Sequence, residues 1–289
     1  MLAALILGAA GAITWGVGST LVAPASRAMG VSRSVLWLGL VGTACGATVS
    51  LVASGPPAFA SGDVGWLAGT TLALLAATNL WAVLVARSDV SLATPIVACD
   101  GAIAALAAVV AGQRLPVGVY AGLGLMVVGL VIASRRPAVA ARRPTGRISR
   151  PYSAPVTVAV AIVTAGCYAA MLFCAAQVEA SSPIWTVVVA RGGVTAIALG
   201  ICVRARVVLG PRRALGFAAA SGALDVLSFS LFLFGARENL AIAAVAVSQY
   251  GVIAAIVGVL LLGERLSRFQ ASGVVLLAVG AGVVAMLAA

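Results

Sequence analysis

The sequence predicts an all-α integral membrane protein with ten transmembrane helices, arranged as two inverted five-helix repeats. Composition is the first observation, because hydrophobic residues make up 63% of the chain and charged residues only 9%. A soluble domain is about 45–50% apolar and about 25% charged. No soluble fold of this length could bury so much apolar surface, so we expect a lipid bilayer around most of the chain.

The apolar residues fall into ten segments, each long enough to cross a bilayer as a helix of about 20 residues. Glycine, proline and charged residues separate these segments, as in Gly55-Pro56-Pro57 and Arg237-Glu238-Asn239. The predicted spans are 3–22, 34–54, 64–86, 91–112, 116–134, 155–177, 183–202, 214–235, 240–262 and 268–288.

One polar segment is longer than the others and divides the chain in two. Residues 135–154 contain six Arg and almost no long apolar side chains, which is typical of a flexible linker. We therefore expect a first five-helix repeat over residues 1–134, an Arg-rich cytoplasmic linker over 135–154, and a second repeat over 155–289.

All eighteen basic residues are Arg, and their placement predicts the orientation. On alternate loops, fifteen lie on one side and two, Arg114 and Arg237, on the other. Because cytoplasmic loops are enriched in Arg and Lys, the Arg-rich side should be cytoplasmic, with both termini on the other side of the cell membrane. The net charge of +11 could suggest nucleic acid, but the basic stretches lack interleaved aromatic residues, so no nucleic acid partner is expected.

The two halves also resemble each other in sequence. Gly112-Gln113-Arg114-Leu115 matches Gly263-Glu264-Arg265-Leu266, and in the same register Gly122 falls on Gly273. Since five is an odd number of crossings, the second copy must enter the membrane upside down. Inverted repeats around a site at the bilayer midplane are a recurrent architecture for alternating access.

These motifs make the chain similar to the EamA-type group of the drug/metabolite transporter superfamily. The resemblance is carried by the turns Gly112-Gln113-Arg114-Leu115-Pro116 and Leu262-Gly263-Glu264-Arg265-Leu266, and by Thr14-Trp15-Gly16 in the first helix. It implies ten helices in two repeats and transport of a small metabolite or drug-like solute, with export favoured over import. Gln113 departs from the family, which often has Glu there, so the first turn has no acidic role.

Three ionisable residues lie near the middle of predicted helices: Asp100 in helix four, Arg191 in helix seven and Asp225 in helix eight. Each costs about 2.5–3.5 kcal/mol on insertion scales, and such residues usually face a bundle interior or a wet cavity. They could form a substrate-binding or coupling site, or Arg191 could form a structural ion pair with one aspartate. The surplus carboxylate favours the first hypothesis.

The chain contains neither His nor Lys, which limits how a coupling proton could be carried. No imidazole is available to titrate near neutral pH. If transport is proton-coupled, the proton must bind Asp100 or Asp225.

Five further residues at similar depth are candidates for contact with a solute: Trp15, Asn79, Tyr168, Gln249 and Tyr250. Binding cavities are largely apolar with a few directing polar groups, which fits this set. The alternative is that the aromatic residues fill the core and the amides join helices by hydrogen bonds.

The function that these observations predict is secondary active transport of a small solute by alternating access, with no enzymatic activity, cofactor or metal. Without Lys there is no Walker-type motif for ATP hydrolysis. Two alternatives remain open, a non-transporting membrane scaffold and an integral membrane enzyme. A membrane enzyme would need a catalytic or metal-binding cluster, and five of the seven carboxylates lie in loops or at helix ends.

Overall fold

The structure of the chain is a computed structural model. The structure describes residues 2–88, 90–112, 117–134, 152–178, 183–206, 209–263 and 267–288. Within these ranges the protein is helical, with turns and short irregular segments but no strand. The repeat motifs at 113–116 and 264–266 and the linker up to residue 151 lie outside the described residues.

Twelve helices are present in the described part of the chain. They are α1 Leu2–Met29, α2 Val31–Ser54, α3 Asp63–Arg87, α4 Val90–Val97, α5 Asp100–Val110, α6 Val117–Ser134, α7 Ala154–Ala176, α8 Pro183–Arg204, α9 Arg212–Glu238, α10 Leu240–Val247, α11 Tyr250–Leu262 and α12 Arg268–Ala288. By length and apolar composition, eight helical segments within the described ranges can cross a membrane. The protein is therefore a multi-pass membrane protein.

The helices pack in a regular set of pairs. The principal contacts join α1 to α9, α3 to α7, α2 to both α8 and α9, and α6 to α12. Glycines permit the closest of these approaches, since a methyl group on Gly280 of α12 would lie 2.9 Å from the Gly122 carbonyl oxygen of α6. The large apolar side chains that remain exposed, such as Leu72 and Val110, are those expected to face lipid.

Two of the predicted spans are not continuous helices. The predicted spans over 91–112 and 240–262 coincide with segments that can cross a membrane, and each is divided near its centre by two turn residues, into α4 with α5 and α10 with α11. Pro95 weakens the first, since it cannot donate a backbone hydrogen bond and its ring crowds the preceding turn.

No proline lies in α10, and the second division has another local cause. The Ser248 hydroxyl donates to the Val245 carbonyl at 2.8 Å, and the backbone tightens so that Gly251 N–H donates to Ser248 O at 3.2 Å. Bonds of this i→i−3 type replace regular α-helical bonds around both breaks. The hydrogen bond from the Cys99 N–H to Ile96 O, at 3.3 Å, is of the same type.

The two divided helices pack side by side in opposite directions. α4 contacts α11, and α5 contacts α10, so the first half of each helix lies beside the second half of the other. Gly101 and Gly251 bring the backbones together: a methyl group on Gly101 would clash with the Ala244 carbonyl, and one on Gly251 would lie 3.3 Å from the Thr94 carbonyl. This crossing places the first residue of α5 next to the first residue of α11.

At the predicted cytoplasmic end, α1, α3 and the start of α7 are joined through backbone carbonyl groups. Arg27 donates from Nε to Val85 O at 3.1 Å and from Nη2 to Ser88 O at 3.0 Å. These carbonyl groups lie at the end of α3, where regular helical partners run out. The Tyr152 N–H donates to Arg87 O at 3.2 Å, and the Arg87 guanidinium lies 5.1 Å from the centre of the Tyr152 ring.

Candidate functional site

The three ionisable residues singled out by the sequence are buried at the centre of the protein. Asp100 is 0% exposed, Arg191 1% and Asp225 7%, and each belongs to a different helix, α5, α8 and α9. Burial of charge in an apolar interior is costly unless each group is paired or hydrogen-bonded. The partners of the three residues therefore determine what the centre can do.

Arg191 and Asp225 form an ion pair between α8 and α9, through Nη2 and Oδ2. Nη1 of Arg191 also donates to the Thr78 hydroxyl of α3 at 3.4 Å. The pair joins three helices and neutralises both charges. Arg191 Nε has no hydrogen-bond partner among the described residues, and neither has the buried indole N–H of Trp81 on α3.

Asp100 has a different environment. Its Oδ1 accepts from the Gly101 N–H at 2.7 Å, and its Oδ2 accepts from the Tyr250 hydroxyl at 3.2 Å. Within the described ranges no Arg lies within 4.0 Å of the Asp100 carboxylate. The hydrogen bond from Tyr250 joins the two divided helices at their breaks, because Asp100 opens α5 and Tyr250 opens α11.

A cluster of aromatic rings lies between the two carboxylates, with Trp15 of α1 at its centre. The Trp15 ring is stacked on Tyr250, with centroids 5.4 Å apart, and on Phe229, at 6.3 Å. Tyr168 of α7 meets Trp15 edge-on at 6.0 Å. Phe229 in turn stacks on Phe232, so α1, α7, α9 and α11 each contribute a ring to one continuous cluster.

Trp15 and Tyr168 also have polar contacts that extend the network. The Trp15 indole N–H and the Arg191 guanidinium both donate hydrogen bonds to Asp225, and the Tyr168 hydroxyl is hydrogen-bonded to Thr78. Trp15 therefore contacts both acidic regions, Asp225 through its N–H and the Asp100–Tyr250 pair through its stacked ring.

Two of the predicted site residues are not part of this network. The side chain of Asn79 donates back to the Leu75 carbonyl of its own helix at 2.8 Å, and it is only half-buried. Gln249 lies in the turn between α10 and α11, also half-buried, and its side chain forms no hydrogen bond to a described residue. Of the eight candidates, the structure thus brings six together.

The sequence prediction did not include Thr78, Phe229 or Phe232, which complete the cluster. The sequence nonetheless contained a signal for the contact between Asp100 and Tyr250. A shift of 150 residues aligns Gly101-Ala102-Ile103-Ala104-Ala105 with Gly251-Val252-Ile253-Ala254-Ala255. In that register Asp100 corresponds to Tyr250. These two side chains are hydrogen-bonded to each other in the structure.

In chemical terms, the described centre offers hydrogen-bond donors and acceptors, one ion pair, one further carboxylate and aromatic ring faces. Across the described ranges, no group of three or more His, Cys, Asp or Glu residues is placed to hold a metal ion.

Comparison with known proteins bears on the fold. No protein-family model matches the chain, and no curated protein sequence matches it. A solved structure described as "Crystal structure of protein" superimposes with a TM-score of 0.67 over 99% of this chain and 98% of that one, at 13% sequence identity. At this identity the likeness shows the fold alone, so this multi-pass helical protein shares its chain-long architecture with that structure.

Proposed function

We propose that the protein is a secondary active transporter of a small solute, working by alternating access between two inverted five-helix halves. The single observation that carries this proposal is the buried polar network, to which helices from both halves of the chain contribute. Structural proteins of the membrane have little reason to keep three charged residues at the centre, since each opposes insertion. A solute pathway is the commonest reason for retaining them.

The helix contacts support the inverted repeat. If α1–α6 form one half and α7–α12 the other, then α1 is equivalent to α7, α2 to α8, and so on to α6 and α12. Exchanging equivalent helices converts the α1–α9 contact into the α7–α3 contact. The same exchange converts α2–α9 into α8–α3, and α4–α11 into α10–α5, while α2–α8 and α6–α12 remain unchanged. A pseudo-twofold axis between the divided helices would produce this pattern, and it would pass close to Asp100 and Tyr250.

The half-helices support a site at this level. Divided helices expose backbone polar groups, and at membrane depth such groups are tolerated where they are buried in protein or line a cavity. Transporters commonly bind solute and coupling ions at paired helix breaks. We further propose that the linker side is cytoplasmic and that both termini lie outside, in the cell membrane, because Arg is concentrated on that side.

Flux measurements on the full chain in proteoliposomes test the proposal. With a pH gradient imposed, we expect uptake of at least one solute from a broad panel of metabolites and drug-like compounds, and loss of the pH-driven part in Asp100→Asn or Asp225→Asn. Undiminished pH-driven flux in both variants would exclude proton coupling through these carboxylates. Absence of flux for every compound would favour a non-transporting scaffold instead.

A further inference from the structure

The two ends of the helix bundle differ, although the proposed repeat makes them equivalent. The shift of 150 residues between the halves also matches the helix boundaries. Helices α4 and α10 begin at Val90 and Leu240, and helices α2 and α8 end at Ser54 and Arg204. In this register, the end of the bundle where α1 and α3 finish corresponds to the end where α7 and α9 finish.

Arg27 closes the end formed by α1 and α3. Its guanidinium donates to Val85 O at 3.1 Å and to Ser88 O at 3.0 Å, both at the end of α3. The C-terminus of a helix carries partial negative charge, so a cation there forms strong, charge-assisted hydrogen bonds. Ser26, the neighbour of Arg27 on α1, is 0% exposed. The guanidinium thus joins α1 to α3 over a fully buried residue.

Tyr152 covers the same end of α3 from the segment that precedes α7. Its N–H donates to Arg87 O at 3.2 Å, and its ring centre lies 5.1 Å from the Arg87 guanidinium. In the register of the repeat, Tyr152 corresponds to Leu2 at the start of α1, which is 66% exposed. A mostly exposed apolar residue therefore takes the place of the ring that covers the end of α3.

The residue equivalent to Arg27 in the second half is Gln177, at the end of α7. Its side-chain amide donates back to the Phe173 carbonyl of its own helix at 3.4 Å. A pocket lies here between the end of α7, the start of α8 and the end of α9, lined in part by Ala176. Ala176 corresponds to Ser26 but is only half-buried. Helix α7 also packs less extensively on α9 than α1 does on α3.

We propose that Arg27 is the gating residue that holds the α1–α3 end closed, while the α7–α9 end, with Gln177, opens to solution. This inference rests on the transport function proposed above and names the contact that regulates access to its site. In the proposed orientation the closed end is cytoplasmic. Helices α1 and α3 separate there only when both hydrogen bonds of Arg27 break. Gln177 has no charge with which to form the equivalent contact, so closure of the α1–α3 end is the favoured state.

Cysteine labelling at two equivalent positions tests this gate without requiring transport. The reporters are Ser26→Cys and Ala176→Cys, each in a full-length parent chain whose five native Cys are replaced by Ala. The protein is held in nanodiscs, which expose both faces to a water-soluble maleimide. The Ser26 hydroxyl has no hydrogen-bond partner among the described residues, so its replacement by a thiol breaks no hydrogen bond. We expect the Ala176→Cys thiol to react at least about tenfold faster, a ratio that hydrogen bonds to a charged group can impose on two states.

Exchanging the two gate residues gives the sharpest test. Arg27→Gln should raise the labelling rate of the Ser26→Cys thiol at least about tenfold, because the bridge to α3 is lost. Gln177→Arg should slow the labelling of the Ala176→Cys thiol. Charge alone would act in the opposite sense, since a nearby guanidinium favours the reactive thiolate. The expected changes therefore report access to the thiol rather than its reactivity.

A matched control is available in Arg33→Gln. Arg33 lies at the same end of the bundle, but on α2, where it donates to the Leu209 carbonyl at 3.0 Å. This variant removes the same charge without touching the Arg27 contact, so the Ser26→Cys labelling rate should not change. If Arg27→Gln fails to fold, the two reporters in the parent chain and the Gln177→Arg variant still test the gate.

Equal labelling of the two reporters in the parent chain would overturn the proposal. So would an Arg27→Gln variant in which the Ser26→Cys thiol stays protected, or an Arg33→Gln variant that exposes it equally. If these results appear while the proteoliposomes still transport solutes, the gate is wrong and the transport function stands. If labelling changes as expected but no panel compound is transported, the Arg27 closure stands and the transport function is wrong.

Discussion

The two buried aspartates occupy comparable depths in the protein but differ in what holds them. Asp225 is bound to Arg191, and the pair is tied to α3 through Thr78. Asp100 is held by a phenol and a backbone N–H. The first arrangement keeps its charges in place by attraction between them. The second leaves a carboxylate that has hydrogen-bond donors but no cation beside it among the described residues. One aspartate therefore joins helices through a pair of opposite charges, and the other joins them through a hydrogen bond from a neutral phenol.

Arg191→Leu should produce the largest effect, because it leaves Asp225 buried without its cation. We expect a loss of about 3–5 kcal/mol in the free energy of unfolding, as found when one partner of a buried pair is removed. Unfolding in mixed micelles of increasing denaturing-detergent content measures it. The double variant Arg191→Leu with Asp225→Leu should recover most of the loss, and an equally unstable double variant would show that the ion pair is not the cause.

Tyr250→Phe examines the other aspartate and should have an intermediate effect. Removal of the hydroxyl leaves Asp100 Oδ2 buried without its donor, at a cost of about 1–3 kcal/mol. Tyr120→Phe is the matched control, since Tyr120 lies on α6 with 44% of its surface exposed and should change stability little. Similar unfolding curves for the two variants would argue against the Asp100–Tyr250 hydrogen bond.

Asp100→Asn should have the smallest effect on stability, within about 1 kcal/mol, because the amide oxygen still accepts a hydrogen bond and a net buried charge is removed. The same unfolding assay applies. A loss as large as that of Arg191→Leu would mean that Asp100 is structurally required, and the distinction between the two carboxylates would fail.

Much of the membrane architecture could be predicted because it follows from the solvent. Apolar segments of about 20 residues are enforced by lipid on any helical chain, and eight of the predicted spans coincide with described helical segments that can cross a membrane. The breaks within 91–112 and 240–262 could not be placed in the same way. Pro95 was a visible signal for the first, but nothing in the apolar run around Ser248 distinguishes a tightened turn from a regular helix.

The charged residues of the candidate site could be predicted from the sequence, whereas some of its neutral residues were missed. A charged residue in an apolar segment is conspicuous because hydrocarbon excludes it, and this reasoning identified Asp100, Arg191 and Asp225. Phe229 and Thr78 are ordinary residues for a membrane helix. Their importance depends on which helix face meets Trp15 or Arg191, and this is set by packing between segments far apart in the chain.

By itself, the sequence determined that the chain is a multi-pass helical membrane protein and that three charges lie in its apolar segments, since both follow from local composition. Only the tertiary structure decided which aspartate Arg191 neutralises. Either carboxylate was an equal candidate until the packing of α8 against α9 placed Asp225 beside the guanidinium, and the crossing of α5 with α10 placed Asp100 beside Tyr250. Coulomb attraction depends on distance in space, and sequence separation does not specify that distance.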